Sequence, residues 1–315
     1  MAQDRTYAPA PAPLPFPVAD NHTHIEPFQR FPAEPLGLEE QITAAQAVGV
    51  SRIVQCGCDL AAARWTVEVA VKQPGVVGAI AIHPNDAARL AAVDRAVDPP
   101  ADRAGGPGAD PTVAPNPDQA PTYVENSAAY TASFAEIASL ARSTSRVRAI
   151  GETGLDYFRT GPGGRPAQRA AFRDHIALAK ELDLALQIHD RDAHADVIAT
   201  LLSDGAPERT IFHCFSGDRE MATVAASHGW YCSFAGTVTF KSGGELRLAA
   251  SQLPPELVLV ETDAPYLAPD PFRGRPNAPF MIPVTMGVLA ASMGLPLEDA
   301  CRQIQDNTYR AYGEW

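Results

Sequence analysis

The chain has 315 residues, 46% of them hydrophobic, with a formal net charge of -12 and a pI of about 5.1. The length suits one α/β barrel, for which ~250 residues is typical and insertions are common. The acidic balance excludes a module that coats nucleic acid by bulk charge, which is usually basic, and leaves room for an enzyme with a small local basic site.

Residues 1–17, "MAQDRTYAPAPAPLPFP", are rich in Pro and Ala and lack the apolar h-region of a signal peptide. They are expected to form a flexible tail on a cytoplasmic protein, so the sequon "NHT" at Asn21 carries no meaning. A βα rhythm follows. Strands are predicted in "FPVAD" to Asp20, "SRIVQCG" to Gly57, "GVVGAIAIH" to His83 and "RVRAIGE" to Glu152. Four more are "LALQIH" to His189, "RTIFHCF" to Phe215, "WYCSFAG" to Gly236 and "ELVLVETD" to Asp263. Stretches with helical spacing lie between them, among them "AAYTASFAEIASLARS" and "PAQRAAFRDHIALAKEL". Eight strands alternating with helices predict a single-domain (β/α)8 TIM barrel over residues 18–315. Residues 94–121 break the rhythm. They are dense in Pro, Gly and Asp, cannot bury enough surface to offset their ordering entropy, and are expected to be a flexible insertion after the third strand. No segment reaches the ~18 apolar residues that span a bilayer, so no membrane is expected.

Side chains alternate along a strand, so His22 and His24 in "VADNHTHIE" point the same way, towards the barrel mouth where sites on this fold lie. Glu152, His189, His213 and Asp263 fall at the corresponding ends of other strands. Each alone has an ordinary explanation as a hydrogen-bonded strand-end residue, helix cap or turn former. Together they would bury several unpaired ionisable groups in an apolar barrel at real cost. Four imidazoles and two carboxylates suit one or two divalent ions, and a carboxylate can bridge a pair ~3.5–4 Å apart. His83 is either a hydrogen-bonded strand-end residue or a substrate contact. His175, His194 and His228 sit in helical stretches and are expected to be solvated. The five cysteines are odd in number and form no CxxC pair, which reads as free buried thiols in a reducing compartment.

The motifs "DNHTH", "IGETGLDY", "LQIHDRDA", "FHCFSGD", "WYCSFAGTVTFKS", "ETDAPYL" and "RGRPNAP" run from Asp20 to Pro279. In that order they resemble the TatD family of metal-dependent deoxyribonucleases, within the amidohydrolase-type barrels. The resemblance implies that His22 and His24 hold one ion with Asp263, that Glu152 bridges two ions, and that His189 and His213 hold the second. It implies Glu152 where related amidohydrolases often carry a carboxylated lysine. This chain departs from the family in Thr23 where Cys is frequent, Glu26 where Asp is frequent, and Asn85 where a second His follows the third strand. These departures bear on substrate preference and remove no ligand.

The expected chemistry is hydrolysis of a phosphodiester, exonucleolytic on single-stranded DNA or possible on RNA, by water activated between two divalent ions, Mg2+, Mn2+ or Zn2+. Asp263 is the candidate to orient that water and take its proton, Glu152 to hold the ions together. Arg273 could fork onto a phosphate and Tyr157 stack on a base; Arg275 is a weaker candidate. Two other readings stay open: hydrolysis of another ester or amide on the same site, such as D-aminoacyl-tRNA deacylation, and a non-catalytic binding protein with a relic site. No G-x-S-x-G elbow occurs, and "GTVTFKS" has Phe240 where a P-loop needs glycine. No protein partner is implied.

Overall fold

The computed structural model describes residues 6–27, 35–93 and 122–315. Among them an eight-stranded parallel sheet curls into a barrel. Its strands are β1 (Val18–Thr23), β2 (Val50–Gly57), β3 (Val76–Ile80), β6 (Val147–Asp156), β7 (Ala185–Arg191), β8 (Thr210–Phe212), β9 (Tyr231–Phe234) and β10 (Val258–Val260). They are hydrogen-bonded in that order. A two-residue pair, β4 (Ala92–Val93) with β5 (Thr122–Tyr123), flanks residues 94–121, which lie outside the described residues.

The outer layer consists of α1 (Leu38–Ala47), α2 (Leu60–Lys72), α3 (Pro84–Ala91), α4 (Ala128–Ser143), α5 (Arg165–Leu182), α6 (His194–Asp204), α7 (Arg219–Ser227), α8 (Gly244–Gln252), α9 (Ile282–Met293) and α10 (Leu297–Tyr312). Short polar side chains start several of them. Asp59, Ser127 and Asp218 accept from the backbone N–H groups of Ala62, Tyr130 and Met221, each satisfying a donor that the first turn leaves free. Strand faces and helix stripes meet in a core that buries Phe172, Phe212, Phe215, Phe234, Ile80, Ile150 and Leu186. Each such side chain contributes ~1.5–3 kcal/mol on leaving water. No single helix among the described residues is long and apolar enough to cross a membrane.

The seam between β1 and β10 is closed largely by side chains. Asn21 Nδ2 donates to Val260 O at 2.8 Å, and Asp20 accepts from the Thr262 amide at 2.9 Å and its hydroxyl at 2.5 Å. Main-chain bonds from Asp263 N to His22 O (3.0 Å) and from His24 N to Ala264 O (2.7 Å) continue the closure above the strand ends. These bonds fix the segments that carry His22, His24 and Asp263 against each other.

Two features differ from the sequence reading. Of the tail, residues 6–17 lie on the barrel: Ala8 is buried, Leu14 N donates to Val48 O, and the Tyr7 ring packs near Phe280. Tyr7, Leu14 and Phe16 carry the apolar surface that a free tail would lack. The fourth barrel strand, β6, does not end at Glu152 but runs to Asp156, because its register with β7 resumes after an irregularity between Ile150 and Thr153. Glu152 therefore sits at a bulge that turns it inward. Gly154, two residues on, has φ +135° and lies so close to His189 that any Cβ would meet the His189 carbonyl.

Candidate metal centre

The structure brings all six expected ligands to the barrel mouth. His22 is the fifth residue of β1 and His24 follows its end; their Nε2 atoms are 3.2 Å apart. Both rings are held from behind. Gln187 commits its amide nitrogen to Asn21 O (2.8 Å) and to the Tyr312 hydroxyl (2.6 Å), so its oxygen must accept from His22 Nδ1 at 3.0 Å. His24 Nδ1 donates to the Cys56 carbonyl at 3.0 Å. A neutral imidazole has one N–H, so both Nε2 atoms carry bare lone pairs that face each other. Asp263 adds a carboxylate oxygen 3.5 Å from His24 Nε2 and 3.8 Å from His22 Nε2.

His213, just beyond β8, is fixed in the same manner. Its Nδ1 faces Glu261 Oε1 at 3.1 Å, an oxygen that also accepts from Cys214 N, so its Nε2 points its lone pair at Glu152 Oε1, 2.9 Å away. His189, on β7, lies between Glu152 Oε1 (2.5 Å from Nδ1) and Asp156 Oδ2 (3.3 Å from Nε2). Glu152 is the centre of the arrangement. Oε1 meets His189 and His213, with His83 Nε2 at 3.5 Å; Oε2 meets His22 at 3.7 Å, His24 at 3.8 Å and Cys58 Sγ at 3.3 Å.

Lone pairs opposed to lone pairs and carboxylates repel one another unless a cation lies between them. The donor set therefore fits divalent ions held by imidazole nitrogen and carboxylate oxygen. The same demand appears in the proton affinities. Burial opposes a charge on His213, but Glu152 and Glu261 outweigh it and lift its pKa well above the ordinary histidine value. His189, partly buried yet flanked by Glu152 and Asp156, is raised to about 9. His22 is pushed well below the ordinary value by burial and by the His213 and His24 rings. Burial raises the Glu152 carboxyl, and His213, His83 and His189 overcome this to hold it well below the usual carboxylate range. Locking of ring orientation by a second layer of partners is what metal-binding histidines need.

The substrate candidates lie outside this cluster. The Tyr157 hydroxyl donates to Asp196 at 2.5 Å and accepts from Arg169 at 3.0 Å, while Arg165 covers its ring at 4.2 Å. Arg273 is exposed and stacks on Phe240 at 4.1 Å; Arg275 lies 5.9 Å from the Phe272 ring. Asn85, one of the departures noted in the sequence, donates to Asp156 at 2.9 Å. Glu26 is buried and accepts from Gln55 at 2.7 Å.

Several residues at the site were not singled out in the sequence. Gln187 and Glu261 orient His22 and His213, Cys58 touches Glu152, and Asp156 touches His189. Phe158, 62% exposed beyond the end of β6, carries the Arg191 guanidinium 4.0 Å over its ring. The motif "GLDYF" could have drawn attention to Asp156, which follows Glu152 at the even spacing of one strand face. His83 differs in kind from the candidate ligands: its Nδ1 accepts from Asn85 N at 3.1 Å, so a neutral ring presents an N–H donor to the mouth. The remaining histidines are away from the cluster, and one expectation fails. His175 is not solvated but fully buried, because α5 turns it inward to accept from Ile82 N, just past the end of β3.

Comparison with known proteins agrees with this geometry. Residues 19–313 match the family model described as TatD related DNase. The chain is 34% identical over 300 residues to a protein of Mycobacterium tuberculosis (strain ATCC 25618 / H37Rv) named uncharacterized metal-dependent hydrolase TatD, covering 94% of this chain and 98% of that one. It is 30% identical over 294 residues to the uncharacterized metal-dependent hydrolase YabD of Bacillus subtilis (strain 168), covering 93% and 98%. Its fold matches that of YjjV, a TatD homologue from Escherichia coli K12, with a TM-score of 0.72 at 21% identity over 95% of this chain and 98% of that one. With the family model spanning nearly the whole described barrel and two full-length relatives at this identity, the chain belongs to the TatD family of metal-dependent hydrolases.

Proposed function

We propose that the protein is a two-metal phosphodiesterase that trims single-stranded DNA ends. One observation carries this reading: the two oxygens of Glu152 face two different ligand sets, His22 and His24 on one side, His189 and His213 on the other. A carboxylate so placed can hold two cations together. When bound, a pair of divalent ions acidifies a shared water and neutralises charge building on phosphoryl oxygens. The chain supplies the rest. Asp263, within 3.5 Å of His24 and on the mouth side of the cluster, orients the attacking water and takes its proton. His83 directs an N–H donor to the same space, where a phosphoryl oxygen would accept it. Phe158, held flat by Arg191 and open to solvent, offers a face on which a base can stack, as sequence-tolerant single-strand binding requires.

The test uses metal-stripped protein titrated with magnesium, manganese and zinc on end-labelled single strands, beside a panel of aminoacyl and simple esters. The expected result is ion-dependent release of mononucleotides. Ester hydrolysis without release of nucleotides would move the assignment to another scissile bond on the same centre.

A further inference from the structure

Cys58 follows the last residue of β2 and is held there by its carbonyl, which accepts from His83 N at 3.0 Å. Its sulfur is 3.3 Å from Glu152 Oε2, 4.0 Å from His24 Nδ1 and 3.9 Å from Cys56 Sγ. The sulfur, a His24 ring nitrogen and a Glu152 oxygen all lie within 4.8 Å of one another, a spacing from which three atoms can bind one ion. Cys56 is also near His22 and His24, but it is fully buried and has no carboxylate contact, and its carbonyl serves to hold His24. Cys58 is partly open and sits on the Oε2 face of Glu152.

We propose that Cys58 is a thiolate ligand of the ion on the His24 face of Glu152, and that it biases this position towards zinc-like ions over magnesium. The inference rests on the two-ion reading above. The chemistry is simple. As the sulfur–metal bond forms, the S–H bond breaks and its proton passes to solvent, so the hydrogen bond from Cys58 to Glu152 is exchanged for a bond from each to the same cation. Thiolate is a soft donor that selects zinc and its relatives, whereas magnesium prefers oxygen and retains water. The Oε1 face, with only imidazole and carboxylate at hand, has no such bias.

The metal-stripped full chain is titrated with cobalt(II) while near-ultraviolet absorption is followed, and zinc and magnesium affinities are measured by competition with a chromophoric chelator. The wild type should develop a thiolate-to-cobalt charge-transfer band. Cys58→Ser should lack the band and bind one zinc roughly 10–100-fold more weakly, the range seen when the surroundings of a metal site are disturbed. Its magnesium affinity should stay within about threefold, since that ion does not seek sulfur. Cys301→Ala, remote in α10, should keep the band. Alkylation gives a second readout that needs no variant: iodoacetamide should label Cys58 in stripped protein, with zinc but not magnesium protecting it. Two cobalt ions bound with no thiolate band, or Cys58 labelled equally with and without zinc, would overturn the assignment of Cys58 alone. Failure to bind any ion would overturn the two-ion reading as well.

Discussion

His22 and His175 are both fully buried, yet their surroundings ask for opposite things. His175 donates from Nδ1 to the Ala171 carbonyl at 2.7 Å and accepts at Nε2 from Ile82 N at 3.2 Å. Both nitrogens of a neutral ring are used, and the bond to Ile82 serves a backbone group just past the end of β3. Burial lowers its pKa to about 4, against a weaker opposite pull from the Ala171 carbonyl, so it stays uncharged. His22 has one nitrogen matched by Gln187 and the other aimed at His24, Glu152 and Asp263, all of them acceptors. Burial is common to the two sites, so it does not mark function. A partner set made only of acceptors does.

The strongest test of that contrast removes the shared acceptor. Glu152→Gln keeps the size of the side chain but loses the charge on which two ligand sets converge. It should lose at least one bound ion and lower turnover by roughly a hundredfold or more, as for other key charge-stabilising groups. Elemental analysis and a labelled single strand measure the two effects. Two ions with near-normal turnover would mean that the carboxylate does not bridge.

A smaller effect is expected one layer back. Gln187→Leu fills the same space but takes away the acceptor that fixes the His22 ring, and should weaken metal binding about 10–100-fold while the barrel remains folded. Chelator competition with circular dichroism separates the two. Unchanged affinity would show that His22 is oriented by packing on His213, 3.9 Å away, rather than by its hydrogen bond.

The contribution from His175 is to stability. Its folded pKa of about 4 lies below the ordinary value of 6.5, so between these values the unfolded chain binds the extra proton. Its stabilisation is therefore present above pH 6.5 and is lost as pH falls towards 4, by about 3 kcal/mol over the whole window. Urea denaturation of wild type and His175→Gln at pH 7 and pH 5 should show a smaller pH loss in the variant, without any change in metal content at pH 7. Equal pH losses would remove His175 from the account.

The smallest effect on the site belongs to His194, half exposed in α6 and paired at 2.8 Å with the buried Asp190 carboxylate. His194→Ala should leave turnover and metal content within about twofold, since the ring touches none of the residues gathered around Glu152. A large loss of turnover would extend the site beyond the strand ends.

The sequence alone determined the barrel and pointed to the candidate ligands. Strand and helix periodicities are local, so eight βα repeats can be read directly, and the fixed alternation of side chains is enough to send His22 and His24 to the same side. Residues His189, His213 and Asp263 could be placed because each lies near the end of an apolar run. Tertiary structure decided what each ring nitrogen does. That depends on partners far along the chain, Gln187 for His22 and Glu261 for His213, and neither leaves a trace in spacing. The role of Cys58 was hidden for the same reason: its neighbour is Glu152, on a strand 94 residues away, and only the curl of the sheet brings the two within 3.3 Å. Burial of His175 escaped the sequence too, since a helix position says which face a residue occupies and not whether a strand end beneath it needs an acceptor.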